Sequence, residues 1–230
     1  MTIEQLPWDT DLFGYKVGKI IIARENELEP SLILQDTNKL LYIFSKVQLR
    51  NTLLNKLPAT LVDEKTELAK YFNSSEAIPQ LSSHLVEINS LDSSIIDLAL
   101  QSGIYSRFYI DTNFKKDEFR KLYIAWIKKS LSKEIAEKVI AFKQNNKFIG
   151  LMTICVENNA AVIGLLSVDK EYQRKNIGTQ LLNYAAAFSL QNNYSLLNVT
   201  TQAANIPAIN FYLKNGFQIV KKTYIYHLWK

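Results

Sequence analysis

The chain has 230 residues, of which 47% are hydrophobic and 21% charged, and it carries a formal net charge of +5 with an isoelectric point near 9.1. This length accommodates one large domain or two small ones, and the composition is typical of a soluble globular protein. No apolar run reaches the roughly 18 residues that a membrane-spanning helix needs. The single cysteine, Cys155, excludes an internal disulfide.

The positive charge comes mostly from scattered lysines, and no nucleic-acid-binding motif accompanies it. A nucleic-acid partner is therefore not expected, whereas anionic small ligands such as CoA or a nucleotide suit a mildly basic surface. The first residues lack the basic start and apolar core of a signal peptide, so we expect a cytoplasmic protein without a membrane partner.

Residues 1–85 predict a smaller N-terminal α/β domain with no catalytic signature of its own. Its aromatic residues Trp8, Phe13 and Tyr15 are interpreted as core residues, because large aromatic side chains dominate protein cores. The polar segment 72–83 is the best candidate for a linker. The expected elements are strand 15–23, helix 29–38, strand 40–46, helix 50–55 and a strand from residue 61 toward residue 71.

Residues 86–230 continue the alternation of helices and strands. Asn-Asn pairs suit tight turns, and they predict turns between the strands 136–143, 147–157 and 160–169. A helix is also expected before strand 136–143. Its apolar and aromatic residues recur at helical spacing and are interpreted as the buried face of that helix. The other expected elements are strand 84–89, helix 93–102, a helix beginning near residue 178, strand 196–201, a helix between Asn205 and Gly216, and strands 217–220 and 223–229 joined by a hairpin at Lys221-Lys222.

A short basic turn joins the apolar strand 160–169 to the helix that follows it. A helix start presents unpaired backbone N–H groups and a partial positive charge, so it is a ready site for a phosphate. Gly178 lets the backbone approach a ligand, and Arg174 and Lys175 add positive charge. This strand, turn and helix are therefore expected to hold a pyrophosphate.

Two motifs resemble those of the GNAT superfamily of N-acetyltransferases. Gln173-x-x-Asn176-x-Gly178 is similar to its acyl-CoA signature, [Gln/Arg]-x-x-Gly-x-[Gly/Ala], with asparagine in place of the first glycine. Asparagine tolerates left-handed backbone angles better than most residues, so the turn can persist. The second motif, Asn205-x-x-Ala-x-x-x-Tyr212-x-x-x-Gly-Phe, follows in the same order and at the same distance as in that superfamily.

The resemblance implies a C-terminal GNAT fold over residues 86–230, with a mixed, splayed central sheet flanked by helices, and acetyl-CoA as co-substrate. Tyr212 would then be the general acid that protonates the leaving thiolate, with a core tyrosine as the alternative. Asn205 would hold the pantetheine, cap its own helix, or do both. The backbone that pairs with the pantetheine would be Leu166, Ser167 and Val168, and the pyrophosphate site would be Gln173, Arg174, Lys175, Asn176, Ile177, Gly178 and Thr179.

The general base is left open by the sequence. Glu157 and Asp169 flank the strand that would border the acceptor, and a chain of water molecules is a third candidate. No metal is expected, because His84 and His227 are the only histidines and no ligand cluster surrounds them.

The stretch Ser-Gly-x-Tyr-Ser-Arg-Phe (102–108), with Asn-Phe and Leu-Tyr-x-x-Trp-x-x-x-Ser after it, resembles the dTDP-fucosamine acetyltransferases and similar sugar-nucleotide N-acetyltransferases. The resemblance implies that Arg107 and Tyr109 lie beside the acceptor, where the planar guanidinium of Arg107 suits a diphosphate. A structural salt bridge is the alternative for Arg107.

The implied activity is transfer of acetyl from acetyl-CoA to the amine of a nucleotide-linked, dTDP-type amino-deoxy sugar by direct attack. Two alternatives stay open. One is acetylation of another amine, such as a protein N-terminus or an antibiotic, and the other is a non-catalytic acyl-CoA-binding module. A homodimer is also left open.

Overall fold

The computed structural model describes residues 2–73 and 75–230. In that part of the chain the strands are β1 (Glu4–Gln5), β2 (Val17–Ile22), β3 (Leu40–Ser45), β4 (Ala59–Tyr71), β5 (Leu85–Glu87), β6 (Lys138–Gln144), β7 (Lys147–Glu157), β8 (Ala160–Val168), β9 (Leu196–Gln202) and β10 (Gln218–Trp229). The helices are α1 (Pro7–Phe13), α2 (Pro30–Gln35), α3 (Asn51–Leu54), α4 (Ser93–Ser102), α5 (Arg107–Ile110), α6 (Lys116–Leu131), α7 (Ile177–Gln191) and α8 (Ile206–Lys214).

These strands form one ten-stranded mixed sheet in the order β1-β2-β3-β10-β4-β9-β8-β7-β6-β5. The pairs β2–β3 and β8–β9 are parallel, and the other neighbours are antiparallel. The predicted α/β class with a mixed sheet flanked by helices is confirmed.

The strands of the N-terminal segment do not form a sheet of their own. The C-terminal strand β10 lies between β3 and β4 and pairs with both of them. It thereby fills the two strand edges that residues 1–85 would otherwise leave open, and the N-terminal strands extend the same sheet. The division of the chain at residue 85 stays a prediction. The predicted linker 72–83 falls between β4 and β5, and its Ser74 lies outside the described residues.

The predicted Asn-Asn turns are confirmed by the backbone angles. Asn145 and Asn146 have φ values of 49° and 60°, and Asn158 and Asn159 have values of 50° and 60°. Two successive left-handed residues make the turn whose twist matches the flanking antiparallel strands, and asparagine accepts that conformation readily. These turns bring β7 between β6 and β8.

The hairpin predicted at Lys221-Lys222 is wrong. Residues 218–229 form the single strand β10, with a register shift against β4 between Ile219 and Lys221. Neither lysine has the left-handed backbone angle that a tight hairpin needs. Instead, Lys221 extends along the strand, and its Nζ lies 3.3 Å from Glu67 Oε1 on β4.

Two short helices, α1 and α5, were not among the predicted elements. Pro7 occupies the first turn of α1, and Gly14 ends it with a left-handed φ of 76°. Proline at a helix start and glycine after its end are a recognised pair of boundary signals, so this helix was readable from the sequence. The helix α5 has only four residues and offers too little periodicity to be found in that way.

Helices cover both faces of the sheet. Along β6, Val139 and Ala141 pack in one apolar cluster with α4 and α6, whereas Ile140 and Phe142 pack in another cluster with α7. This alternation is the period of two that places successive side chains on opposite faces. None of the helices in the described ranges combines the length and apolarity needed to cross a bilayer.

The sheet opens in its middle. The parallel strands β8 and β9 are paired only from Ala161–Leu197 to Ile163–Val199. Beyond that point β8 stays with β7 as far as Val168, while β9 stays with β4 as far as Gln202. The backbone edge of β8 therefore loses its β9 partner from Gly164 onward, and a groove begins there.

Candidate active site

A groove of about 1680 Å³ occupies the opening between β8 and β9; we call it the central groove. Its walls come from β8, the turn after β8, the start of α7, β9 and α8, and at the other end from β4, α5 and α6. Of the predicted site residues, those lining it are Arg107, Leu166, Ser167, Val168, Gln173, Arg174, Asn176, Ile177, Gly178, Thr179, Asn205 and Tyr212.

The turn before α7 is built on left-handed backbone. Arg174 has a φ of 62° and Asn176 a φ of 63°, and Asn176 is the N-cap of α7. The first hydrogen bond after this cap runs from Gln180 N to Asn176 O at 3.1 Å, so the N–H groups of the three preceding residues have no partner within the helix. The groove wall therefore carries free donors and the positive end of a 15-residue helix.

Gly178 allows α7 and α8 to approach each other closely. A Cβ atom at this position would lie 3.0 Å from Phe211 Cζ, which is tighter than normal side-chain packing. The start of α7 and the later part of α8 therefore meet in the wall of the groove.

The end of β8 is held by two amide side chains. Gln173 Nε2 donates to Val168 O at 3.1 Å, and the side-chain amide of Gln101 on α4 donates to the same carbonyl. The Ser167 hydroxyl is buried and donates to Leu98 O at 2.7 Å. Ser167 therefore lines the groove through its backbone, and Gln173 fixes the strand end rather than extending freely into the groove.

Tyr212 lines the central groove near the end of α8. It is the seventh of the nine residues of that helix, Ile206–Lys214. Its ring packs between Phe211 and Phe217, with both centroids 5.4 Å away. The side chain is 5% exposed, and this burial raises the pKa of the Tyr212 hydroxyl. The hydroxyl therefore stays protonated at neutral pH and remains able to donate.

Asn205 acts as a cap for α8. Its Oδ1 accepts a hydrogen bond from Ala208 N at 3.3 Å, and its Nδ2 donates to Thr201 Oγ1 at 3.3 Å. These bonds tie the start of α8 to the end of β9 and fix the wall that carries Tyr212.

At the other end of the groove, Arg107 begins α5 and lies among aromatic rings. Its guanidinium carbon is 4.3 Å from the Phe108 centroid, 4.9 Å from that of Tyr42 and 5.5 Å from that of Phe44. Within the described residues, Arg107 forms no ion pair within 4.0 Å, and its buried Nε has no hydrogen-bond partner. The salt-bridge alternative is therefore not what holds this side chain; cation–π contacts hold it.

Two predicted site residues are not brought to the groove. Tyr109 is exposed, and its ring packs edge-on against Phe119 with the centroids 5.1 Å apart. Lys175 lies outside the lining, with its Nζ 4.7 Å from the Tyr172 centroid. In each case the neighbouring residue of the same turn enters the groove instead, because adjacent side chains point in different directions.

The two acidic residues considered as a base differ in where they lie. Asp169 is absent from the groove lining, and its Oδ2 pairs with Lys147 Nζ at 2.8 Å. The hydrogen bond from Lys147 lowers the pKa of the Asp169 carboxyl. Glu157 does line the groove, but it is exposed at the end of β7.

A third carboxylate, Asp63 on β4, was missed by the sequence reading. It lines the central groove and is 7% exposed. Burial raises the pKa of Asp63 to about 7, although the positive charges of Arg107 and Lys65 act against that rise. A carboxylate in the run Leu61-Val62-Asp63 before charged residues was the available signal, but nothing local says that it is buried.

The other groups with reactive or metal-binding potential are carboxylates, histidines and the cysteine. Across residues 2–73 and 75–230, no group of three or more His, Cys, Asp or Glu side chains is arranged to hold a metal ion. Cys155 lies half-buried in the groove wall, and burial raises the pKa of its thiol to about 11. The thiol is therefore protonated at neutral pH and a weak nucleophile.

A family model described as the acetyltransferase (GNAT) family matches residues 96–217, which is more than half of the chain. The chain belongs to the GNAT family. This is a family of acetyl-CoA-dependent N-acetyltransferases, and the matched residues include the β8 edge, the turn before α7, and α8.

Individual GNAT relatives extend this picture. The chain is 25% identical over 136 residues to the spore coat polysaccharide biosynthesis protein SpsD of Bacillus subtilis (strain 168), covering 59% of this chain and 47% of that protein. It is 30% identical over 122 residues to streptothricin acetyltransferase A of the same organism, covering 53% of this chain and 69% of that protein. The chain thus spans about half the length of SpsD.

The fold as a whole also has a solved counterpart. The crystal structure of a functionally unknown conserved protein from Staphylococcus epidermidis ATCC 12228 superimposes with a TM-score of 0.66 at 12% identity. The superposition covers 96% of this chain and 88% of that one, so the likeness includes the N-terminal strands that precede the matched GNAT region.

Substitutions at Asn176 test the turn of this GNAT site. Because glycine adopts positive φ freely, Asn176→Gly is expected to keep the affinity for acetyl-CoA. A β-branched residue is strained there by about 1–3 kcal/mol, so Asn176→Val is expected to weaken acetyl-CoA binding about tenfold or more. Titration calorimetry measures both affinities, and equal affinities of the two variants would show that the left-handed cap is unimportant.

Proposed function

We propose that the protein transfers the acetyl group of acetyl-CoA to the amine of a nucleotide-linked amino-deoxy sugar, of the dTDP type, by direct attack. The observation that carries the acceptor class is Arg107, an arginine in the groove wall that is held by aromatic rings and has unused hydrogen-bond donors. A guanidinium in this state suits a phosphate group.

The other half of the central groove fits acetyl-CoA. The pyrophosphate would lie against the N–H groups at the start of α7, with Arg174 adding positive charge. The pantetheine would follow the edge of β8 at Leu166 to Val168, which has no β9 partner. Because the Val168 carbonyl already accepts from Gln101 and Gln173, its contacts there would be with the other backbone groups of this edge. The thioester would then reach Tyr212, whose protonated hydroxyl can donate to the departing sulfur.

The charges at the acceptor end suit a molecule that carries both an amine and an anion. Arg107 lies near the carboxylates of Asp9 and Asp63, yet it forms no ion pair with either within the described part of the chain. A sugar nucleotide that bears an ammonium group and a diphosphate can satisfy both signs of charge at once. The similarity to SpsD, a spore coat polysaccharide biosynthesis protein, supports a sugar acceptor.

The second candidate is an antibiotic amine. It is favoured by the 30% identity to streptothricin acetyltransferase A, 69% of which is covered by the match. An antibiotic without a phosphate group would leave the donors of Arg107 unused.

A panel of paired acceptors tests the proposal. The protein is incubated with acetyl-CoA and either dTDP- or UDP-linked amino sugars, the matching free amino sugars, or streptothricin, and product masses and thiol release are followed. We expect the nucleotide-linked sugars to be preferred over their free counterparts by about tenfold to a hundredfold in kcat/KM, the value of one or two charged hydrogen bonds. Preference for streptothricin, or equal use of free sugars, would remove the nucleotide-sugar assignment.

Arg107→Ala tests the residue itself. With a nucleotide-linked acceptor, KM is expected to rise about tenfold to a hundredfold, because one charge-assisted phosphate contact is lost. With a free amino sugar, the same substitution is expected to leave KM nearly unchanged. Arg120→Ala on the exposed side of α6 is the matched control. An equal rise in KM for both acceptors would mean that Arg107 supports the fold of the site and does not bind phosphate.

A further inference from the structure

Asp63 occupies an unusual place in the sheet. On its strand, Lys65 pairs with Gln202, the last residue of β9, and Glu64 O accepts from Ala203 N at 2.9 Å. Asp63 is therefore the first position of β4 beyond the reach of β9, where the wall of the central groove is open.

The carboxylate of Asp63 lies on the face of the sheet that Arg107 covers. In the sheet, Asp63 pairs with Ile225 of β10, which pairs with Phe44 of β3, and the Arg107 guanidinium lies over the Phe44 ring. The Asp63 side chain is only 7% exposed to solvent. Its buried Oδ1 has no hydrogen-bond partner among residues 2–73 and 75–230. A buried carboxylate oxygen without a partner is costly, so its position in a groove wall points to a ligand group.

We propose that Asp63 binds the ammonium group of the acceptor and acts as the general base that removes its proton. This assignment rests on the proposed acetyltransferase function, because it requires an amine acceptor in the central groove. It does not require that the acceptor carry a nucleotide.

The environment of Asp63 suits proton transfer near neutral pH. The titratable and charged groups around it are Arg107 from α5, the Tyr123 hydroxyl from α6, and, on its own strand, Lys65 on the same face and Glu64 on the opposite face. Burial raises the pKa of Asp63 to about 7, against the opposing effect of Arg107 and Lys65. A base whose pKa lies near the working pH is ionised in a large fraction of molecules and still accepts a proton readily.

The proton balance is complete with the groups of the site. Asp63 takes one proton from R–NH3⁺, and the lone pair of the neutral amine attacks the thioester carbon to form the C–N bond. The C–S bond then breaks, and the thiolate takes the proton of the Tyr212 hydroxyl. The nitrogen loses its second proton to solvent, Tyr212 regains one from solvent, and Asp63 releases its own, so one proton is released per acetyl group transferred.

Asp63→Asn tests the assignment with kinetics. With the amine that the wild-type protein acetylates fastest, we expect kcat to fall about a hundredfold, the usual contribution of general base catalysis. The wild-type kcat/KM is expected to rise with pH through an apparent pKa near 7, and the variant is expected to lose this limb. Asp63→Glu keeps a carboxylate and is expected to recover part of the rate. Asp117→Asn, an exposed position of α6, is the matched control.

A stability measurement keeps the test independent of turnover. A carboxyl group whose pKa is higher in the folded than in the unfolded chain loses stability as pH rises from about 4 to about 7. Asp63→Asn removes this loss, so its melting temperature should exceed that of the wild type at pH 8 by more than at pH 5. If Asp63→Asn melts at a lower temperature than the wild type at pH 8, the ionised carboxylate stabilises the fold. That result would overturn the assignment.

The outcomes separate this proposal from the proposed function. Suppose that the wild type acetylates amines but Asp63→Asn keeps the wild-type rate and pH profile. The assignment of Asp63 then fails and the acetyltransferase function stands. The same conclusion holds if Glu157→Gln, and not Asp63→Asn, removes the rise of kcat/KM with pH. If the preferred amine is not a nucleotide sugar and Asp63→Asn still loses the rise of kcat/KM with pH, only the acceptor class fails. If the wild type acetylates no amine, both proposals fail.

Discussion

Replacing Tyr212 with phenylalanine is expected to lower kcat by about a hundredfold or more while acetyl-CoA binding changes little. The ring of Tyr212 is buried between Phe211 and Phe217, and phenylalanine fills the same volume, so the packing survives. What is lost is the one hydroxyl on this part of α8. Burial raises its pKa, so in the native protein it is a protonated donor facing the groove.

The measurement is steady-state thiol release together with the affinity for acetyl-CoA by calorimetry. Tyr184→Phe, on α7 and outside the groove lining, is the matched control and is expected to keep full turnover. If Tyr212→Phe keeps the wild-type kcat, Tyr212 is a core tyrosine and the thiolate takes its proton from elsewhere. If it loses affinity for acetyl-CoA to the same extent as kcat, its role is in binding.

Replacing Asp111 with alanine is expected to lower the free energy of unfolding by about 3 kcal/mol or more. Asp111 Oδ2 accepts hydrogen bonds from His227 Nδ1 at 2.6 Å and Trp229 Nε1 at 2.8 Å, and both partners lie on β10. The Asp111 carboxylate also accepts the backbone and side-chain N–H groups of Asn113. Alanine leaves the ring N–H donors of His227 and Trp229 without their acceptor, and the side-chain link between the end of α5 and β10 is lost.

The protonation states of this cluster give it a pH dependence. Burial would raise the pKa of Asp111, but hydrogen bonds from His227, Trp229 and Asn113 outweigh it and lower that pKa. Burial lowers the pKa of His227 to about 4, so the imidazole is neutral in the folded protein at pH 7. Between about pH 6.5 and pH 4 the unfolded chain binds a proton at His227 that the folded chain does not, so stability falls on acidification.

Urea unfolding at pH 7 checks the Asp111 prediction, with the exposed Asp97→Ala on α4 as the control. Asp111→Asn keeps one acceptor oxygen and is expected to cost less than Asp111→Ala. A change below about 1 kcal/mol for Asp111→Ala would mean that the cluster does not hold α5 against β10. Because Arg107 begins α5, a destabilised cluster is also expected to raise KM for the acceptor.

Local chemistry made much of the GNAT half readable from the sequence. Asn-Asn turns, the capped helix α8 and the basic turn before α7 each depend on residues close together in the chain. Each of these features needs particular backbone angles or a capping side chain, which few residue types supply. The residues found at these positions therefore indicate the local structure. The left-handed φ of Asn176 is of this kind, because asparagine is one of the few residues that adopt it readily.

The features that the sequence could not supply are long-range. That β10 lies between β3 and β4 depends on pairing with residues 149 to 189 positions earlier in the chain, and no periodicity within 218–229 records it. Asp63 and Arg107 are 44 positions apart and meet only because α5 crosses that face of the sheet. The burial of Asp63, and hence its interest as a base, follows from that packing alone.

The most direct test is a crystal structure of the protein with acetyl-CoA bound. We predict the pyrophosphate at the N–H groups of residues 177–179, the pantetheine along β8 from Leu166 to Val168, and the thioester sulfur within about 3.5 Å of the Tyr212 hydroxyl. The open face of the thioester should point toward Asp63 and Arg107. A sulfur remote from Tyr212 would contradict the role of that residue as the acid. Acetyl-CoA bound outside the central groove would contradict the assignment of this groove as the active site.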